Sequence, residues 1–139
     1  MNAETEADWS YCEQALIDVS RTFSKPIELL PQPLRVALTC GYLLCRVADT
    51  VEDHEQLGSR ERDSLLSAFI AVLDGEQSPE SFSARFASLA RFSERDAEGR
   101  LAQSLPRVMR VFLSQDAVTR RSSVAWLSGA GPKHVLNGP

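Results

Sequence analysis

Apolar residues in this chain recur three and four positions apart almost from end to end, and nowhere do they alternate. That periodicity argues against a sheet, because a half-buried strand needs period two, and it leaves helices packing on helices. Trp9, Cys12, Leu16, Val19 and Phe23 fall on one face of a first predicted helix. In KPIELLPQP, the residues Pro26, Pro31 and Pro33 predict a turn or short irregular link, since proline lacks an amide donor and crowds the preceding turn. The run from Leu34 to Asp53 has no internal proline and a single glycine, Gly41, and is the longest helix candidate. Ser59 suits an N-cap, with Glu61 and Asp63 favourable near the positive end of the helix dipole. Leu65, Leu66, Phe69, Ile70 and Leu73 line that helix, and Asp74-Gly75 ends it. Ser78-Pro79 opens the next, carrying Phe82, Phe86 and Leu89. Leu101, Leu105, Val108, Met109 and Phe112 mark a last face, kinked or restarted at Pro106. The predicted class is all-α. Residues 129–139 hold three glycines and two prolines and read as a frayed tail, with His134 a solvated loop histidine.

At 139 residues the chain has room for one domain, expected over residues 1–128 ahead of that tail. A net charge of −4 offers no basic groove, so no nucleic-acid partner is expected. Cys12, Cys40 and Cys45 form no CxxC pair, and only His54 and His134 could help complete a zinc site. The thiols are expected reduced, packed as small hydrophobes in a cytoplasmic protein. The acidic start, MNAETEADWS, lacks a signal-peptide pattern. No apolar run approaches the ~20 residues of a membrane span, so membrane contact is at most peripheral.

Carboxylates four apart occur as Glu4/Asp8, Asp49/Asp53, Glu76/Glu80 and Glu94/Glu98. Three of these pairs lie in polar stretches and predict solvated faces. Asp49/Asp53 lies in YLLCRVADTVEDHE, the oiliest helix, where like charges on one face repel. With ~100° per residue, Tyr42, Arg46, Asp49 and Asp53 share one stripe, and Arg35 extends it. Val36, Cys40, Leu43, Leu44, Val47, Ala48 and Val51 cover the opposite side. Two accounts stand. One is an exposed stripe with an Arg46–Asp49 or Arg46–Asp53 ion pair, worth under about 1 kcal/mol. The other is a cavity wall where carboxylates hold Mg²⁺ and an arginine forks onto phosphate oxygens.

SRTF at 20–23, LLP at 29–31 and YLLCRVADTVED at 42–53 occur in that order. Together they resemble the N-terminal part of the squalene and phytoene synthase family, which joins two prenyl diphosphates head to head. The resemblance implies an all-α isoprenoid-synthase fold around a hydrophobic cavity. It implies that Asp49 and Asp53 bind Mg²⁺ bridged to substrate diphosphate. Tyr42 and Arg46 match the tyrosine and arginine beside that motif and are the candidate catalytic residues. Ser20 and Arg21 match a diphosphate-contacting pair, Phe23 an aromatic near the prenyl chain, and Glu52 takes a supporting role at most. The substrate implied is farnesyl or geranylgeranyl diphosphate. DTVED leans towards the squalene branch, whose cyclopropyl intermediate takes hydride from NADPH, although no nicotinamide-binding residue can be read here. A dry cavity suits this chemistry, because water would quench the allylic cation.

The resemblance is strong to about Glu55 and extends to about Arg121. Family members are longer and carry a second aspartate-rich motif, whereas Asp49/Asp53 is the only aspartate pair at that spacing here. The chain is therefore expected to be an incomplete synthase, needing a complementing C-terminal half or self-associating. The alternative is a non-catalytic helical binding module or split subunit that retains the motif. In the incomplete form, the helices around Leu43, Leu65, Phe69, Phe86, Leu105 and Phe112 are expected to lack part of their cover.

Overall fold

A computed structural model describes residues 2–90 and 96–115, and every regular element among them is a helix. In chain order these are α1 (Ala3–Val19), α2 (Arg21–Glu28), α3 (Gln32–Asp53), α4 (Ser59–Leu73), α5 (Pro79–Leu89), α6 (Ala97–Gln103) and α7 (Leu105–Leu113). The all-α expectation holds. The expected tail, with His134, and Glu94 lie outside the described residues.

Several boundaries differ from expectation, each for a local reason. Phe23 belongs to α2 and not to the first helix, because Ser20 leaves helical geometry at φ −159° and ψ 93°. The Ser20 amide donates to the Leu16 carbonyl, 2.8 Å, closing α1, while its Oγ accepts from the Phe23 amide, 3.3 Å, opening α2. One serine thus caps two helices. The proline-rich link is shorter than expected. Pro26 sits inside α2, and Pro33 lies in the first turn of α3, where an amide has no helical partner to lose. The N-cap of α4 is Gly58, not Ser59, and its amide donates to Glu61 Oε1 at 3.0 Å. Asp74 closes α4, and Gly75 follows at φ +79°, a left-handed conformation that glycine adopts without a side-chain clash. Ser78 Oγ accepts from the Ser81 amide, 3.0 Å, with Pro79 at the first helical position of α5. The last predicted face divides at Ser104, and Pro106 falls in the first turn of α7.

The chain clusters into two units, with divisions between Cys45 and Arg46 and between Pro106 and Arg107. In the first unit α1 packs on α2. Trp9, Cys12, Leu16, Val36, Leu43 and Leu44 are buried there. All three cysteines are free and buried; the Cys40 thiol is pushed well up by its hydrogen bond with Cys12 and by burial. Asp8, expected on a solvated face, is buried at 2% exposure. It accepts from Arg110 Nε at 2.7 Å and Nη2 at 3.2 Å, and Arg107 lies 3.3 Å away. Those partners are about a hundred positions distant, beyond the reach of local spacing.

In the second unit α5 packs on both α4 and α6. Phe82 meets Phe69 and Phe86 at centroid distances of 5.7 and 5.9 Å. Ser83 Oγ donates to the Ala102 carbonyl, 2.7 Å, which satisfies a buried hydroxyl. Leu65, Ala68, Phe69 and Val72 form the buried face of α4, whereas Ile70, expected on it, is 57% exposed. Leu43, Leu65, Phe69, Phe86, Leu105 and Phe112 are each no more than 4% exposed. The expectation that they lack cover is corrected: within the described chain they are buried.

Candidate functional site

Residues 42–53 are helical throughout, so the four-residue spacing of Asp49 and Asp53 puts both carboxylates on one side of α3. The buried side is apolar, with Leu43, Leu44, Val47 and Val51 fully enclosed. In the second unit, Arg46, Asp49, Thr50, Asp53, His54, Asp96 and Glu98 line a cavity of about 290 Å³. The stripe is thus neither flat nor uniformly exposed.

Arg46 pairs with Glu98 through Nη2 and Oε1. The guanidinium thus has a partner on another helix. Glu98 had been expected on a solvated face; its partner is 52 positions away on another helix. Thr50 Oγ1 donates to the Arg46 carbonyl, 2.7 Å, a bond within α3 that satisfies its hydroxyl. Asp96 caps α6 by accepting from the Glu98 amide, 3.1 Å, which orders the turn carrying Glu98. His54 follows the end of α3. Its carbonyl accepts from Arg62 Nη2 at 3.2 Å, Nδ1 accepts from the Gln56 amide at 3.3 Å, and its ring meets Phe86 edge-on at 6.1 Å. Arg62 Nη2 also donates to the Leu57 carbonyl, 3.1 Å, so one guanidinium holds this loop.

The remaining candidates lie in the first unit or outside the cavity. Tyr42 is half-buried and its ring lies 5.1 Å from that of Phe23, so two of the expected residues meet there. Ser20 is engaged in capping, and Arg21 is exposed at the start of α2. Tyr42 does not line the cavity of Arg46, Asp49 and Asp53, and neither does Glu52, which is exposed. None of Thr50, His54, Asp96 and Glu98 is among the diphosphate-site candidates that the sequence indicates. Thr50 and His54 sit ~40–80° beyond Arg46 on the helical projection, so a wider stripe would have included them. Asp96 and Glu98 carry no local signal.

Among the described residues no group of three or more His, Cys, Asp and Glu side chains is arranged to hold a metal by itself. Two carboxylates one turn apart nevertheless fit Mg²⁺, which completes its shell with water and phosphate oxygens. A carboxylate pair and a guanidinium line one cavity wall, donors of the chemistry that suits an anion accompanied by a divalent cation.

The family model described as squalene/phytoene synthase matches residues 16–126, and the chain belongs to that family. Among its relatives, squalene synthase 1 of Arabidopsis thaliana is 41% identical over 64 residues, 46% of this chain and 16% of that protein. Presqualene diphosphate synthase of Botryococcus braunii is 41% identical over 64 residues, again 46% of this chain and 16% of the relative. Squalene synthase of Solanum lycopersicum is 38% identical over 64 residues, with the same coverage of 46% and 16%. The matched segment thus spans about a sixth of each relative. No solved structure matches the chain. No helix among the described residues is long and apolar enough to cross a membrane.

Proposed function

We propose that this chain carries the first diphosphate-binding site of a head-to-head prenyltransferase, acting on farnesyl or geranylgeranyl diphosphate. The observation that carries the reading is the cavity wall formed by Arg46, Asp49 and Asp53 in the motif that links the chain to its family. The names of the relatives favour the squalene branch and hence a farnesyl substrate. Asp49 and Asp53 would hold Mg²⁺, which when bound neutralises charge on the departing diphosphate as a Lewis acid. Arg46 offers guanidinium donors to phosphate oxygens. By the family resemblance Tyr42 would serve catalysis, Ser20 and Arg21 would contact diphosphate, and Phe23, whose ring packs on that of Tyr42, would meet the prenyl chain. NADPH would be required only for a squalene-type product. Three buried free thiols suit a cytoplasmic location.

Calorimetric titration with farnesyl diphosphate and Mg²⁺ tests the proposal. Mg²⁺ alone should bind weakly, because two carboxylates leave most of its shell to substrate and water. With farnesyl diphosphate present, binding should appear, and Asp49→Asn or Asp53→Asn should weaken it about ten-fold or more, as expected when a charged contact worth about 1.5–3 kcal/mol is lost. Tight stoichiometric Mg²⁺ binding without diphosphate, or variants that bind like the parent chain, would refute this reading.

A further inference from the structure

Glu98 lines the cavity and has no task in that reading. Its pairing with Arg46 is partly exposed, at 31% for the arginine and 35% for the glutamate, so it adds little to folding. Its effect falls on the arginine. Glu98 engages Nη2 alone, while Arg46 Nε is buried and has no hydrogen-bond partner among the described residues. Nε and Nη2 form the edge of a guanidinium that grips two oxygens of one anion. One prong is therefore held by a carboxylate and the other is left unsatisfied, a state that a bidentate phosphate would relieve.

An incoming anion meets more than Glu98. Asp49, Asp53 and Asp96 line the same cavity, so that among the described residues four carboxylates stand against one arginine. A free anion must displace Glu98 and then sit among like charges. An anion accompanied by divalent cations meets a different balance, because the cations neutralise the carboxylates as the phosphate takes the arginine. We propose that Glu98 is a specificity-determining residue: it withholds Arg46 from free anions and yields it to diphosphate complexed with a divalent cation. This rests on the diphosphate reading of the cavity given above. Glu98 also orders the Arg46 side chain, an opposing effect worth a factor of a few in affinity. Removing one charge in contact with the guanidinium outweighs it, at about ten-fold. Glu98→Gln separates the two, since glutamine still accepts a hydrogen bond from Nη2 but carries no charge.

The test is calorimetry of inorganic diphosphate with the full chain, in Mg²⁺ and in EDTA. The parent chain should bind in Mg²⁺ and far more weakly in EDTA. Glu98→Gln should bind in EDTA about ten-fold more tightly than the parent chain does. Glu98→Asp, which keeps the charge, should retain the Mg²⁺ requirement, and Arg46→Gln should lose binding in both conditions. If Glu98→Gln weakens binding equally in both conditions, or binds in EDTA no more tightly than the parent chain, Glu98 is only a structural tie and the inference fails alone. A parent chain that binds in neither condition refutes the diphosphate reading and the inference together. If Glu98→Gln does not fold, the Arg46 Nε–H resonance of the parent chain decides. It should shift with diphosphate in Mg²⁺ and stay fixed with diphosphate in EDTA, and a shift in EDTA overturns the inference.

Discussion

Asp8 and Asp49 show how little a carboxylate's sequence neighbours say about its surroundings. Each has a carboxylate four positions away, yet Asp8 is buried against two arginines and Asp49 lines a cavity. The hydrogen bond from Arg110 holds the Asp8 carboxyl below its ordinary value of 3.8, with the charges of Arg110 and Arg107 adding to it and burial opposing it. A depressed folded-state pKa means that the stabilisation is fully present above the unfolded value and is lost as pH falls through the folded one. Asp8→Asn should therefore flatten the acid limb of the stability profile below about pH 3.8, read by denaturant titration at a series of pH values. At neutral pH Asp8→Ala should cost about 1.5–3 kcal/mol, the range for charged hydrogen bonds. It should not reach the larger cost of a fully enclosed pair. Arg107 and Arg110 remain 47% and 44% exposed and can rehydrate.

At the scale of elements, caps and prolines set the boundaries. Ser78 and Pro79 open α5, and Asp74-Gly75 closes α4, as their sequence signals indicate. Ser78→Ala removes the oxygen that accepts from the Ser81 amide and should lower stability by about 1 kcal/mol, measured as a shift in denaturation midpoint with unchanged slope. Pro26 departs from the rule that proline interrupts a helix, and the geometry shows why this is tolerable. The helix lasts only 8 residues and ends three positions beyond the preceding lysine. The Leu29 amide already reaches back to the Pro26 carbonyl at 3.3 Å, so few bonds depend on the missing donor.

For the molecule as a whole, apolar burial does most of the stabilising. Phe82 is fully buried between Phe69 and Phe86, and Phe82→Ala should cost about 3–5 kcal/mol, read from thermal or denaturant unfolding. Large apolar side chains that stay exposed among the described residues are Ile70, Leu113 and a stretch of three, Leu29, Leu34 and Leu38, at 87%, 48% and 39%. We expect self-association through this stretch, detectable by sedimentation at increasing concentration. A Leu29→Ser, Leu34→Ser variant should shift the chain towards monomer. A parent chain that is monomeric throughout rules this out.

The sequence by itself determined the all-helical class, the position of the long helix and the common face of Asp49 and Asp53. All three follow from local periodicity, which the helix reproduces residue by residue. It also carried the family, since motifs in order survive without any knowledge of packing. Tertiary structure decided which groups those residues meet. Arg46 pairs with Glu98, and Asp8 with Arg110, across 52 and 102 positions. Helices distant in sequence bring them together, and no spacing rule encodes a contact of that range. On α4 likewise both Leu65 and Ile70 are apolar, yet Leu65 is enclosed and Ile70 exposed.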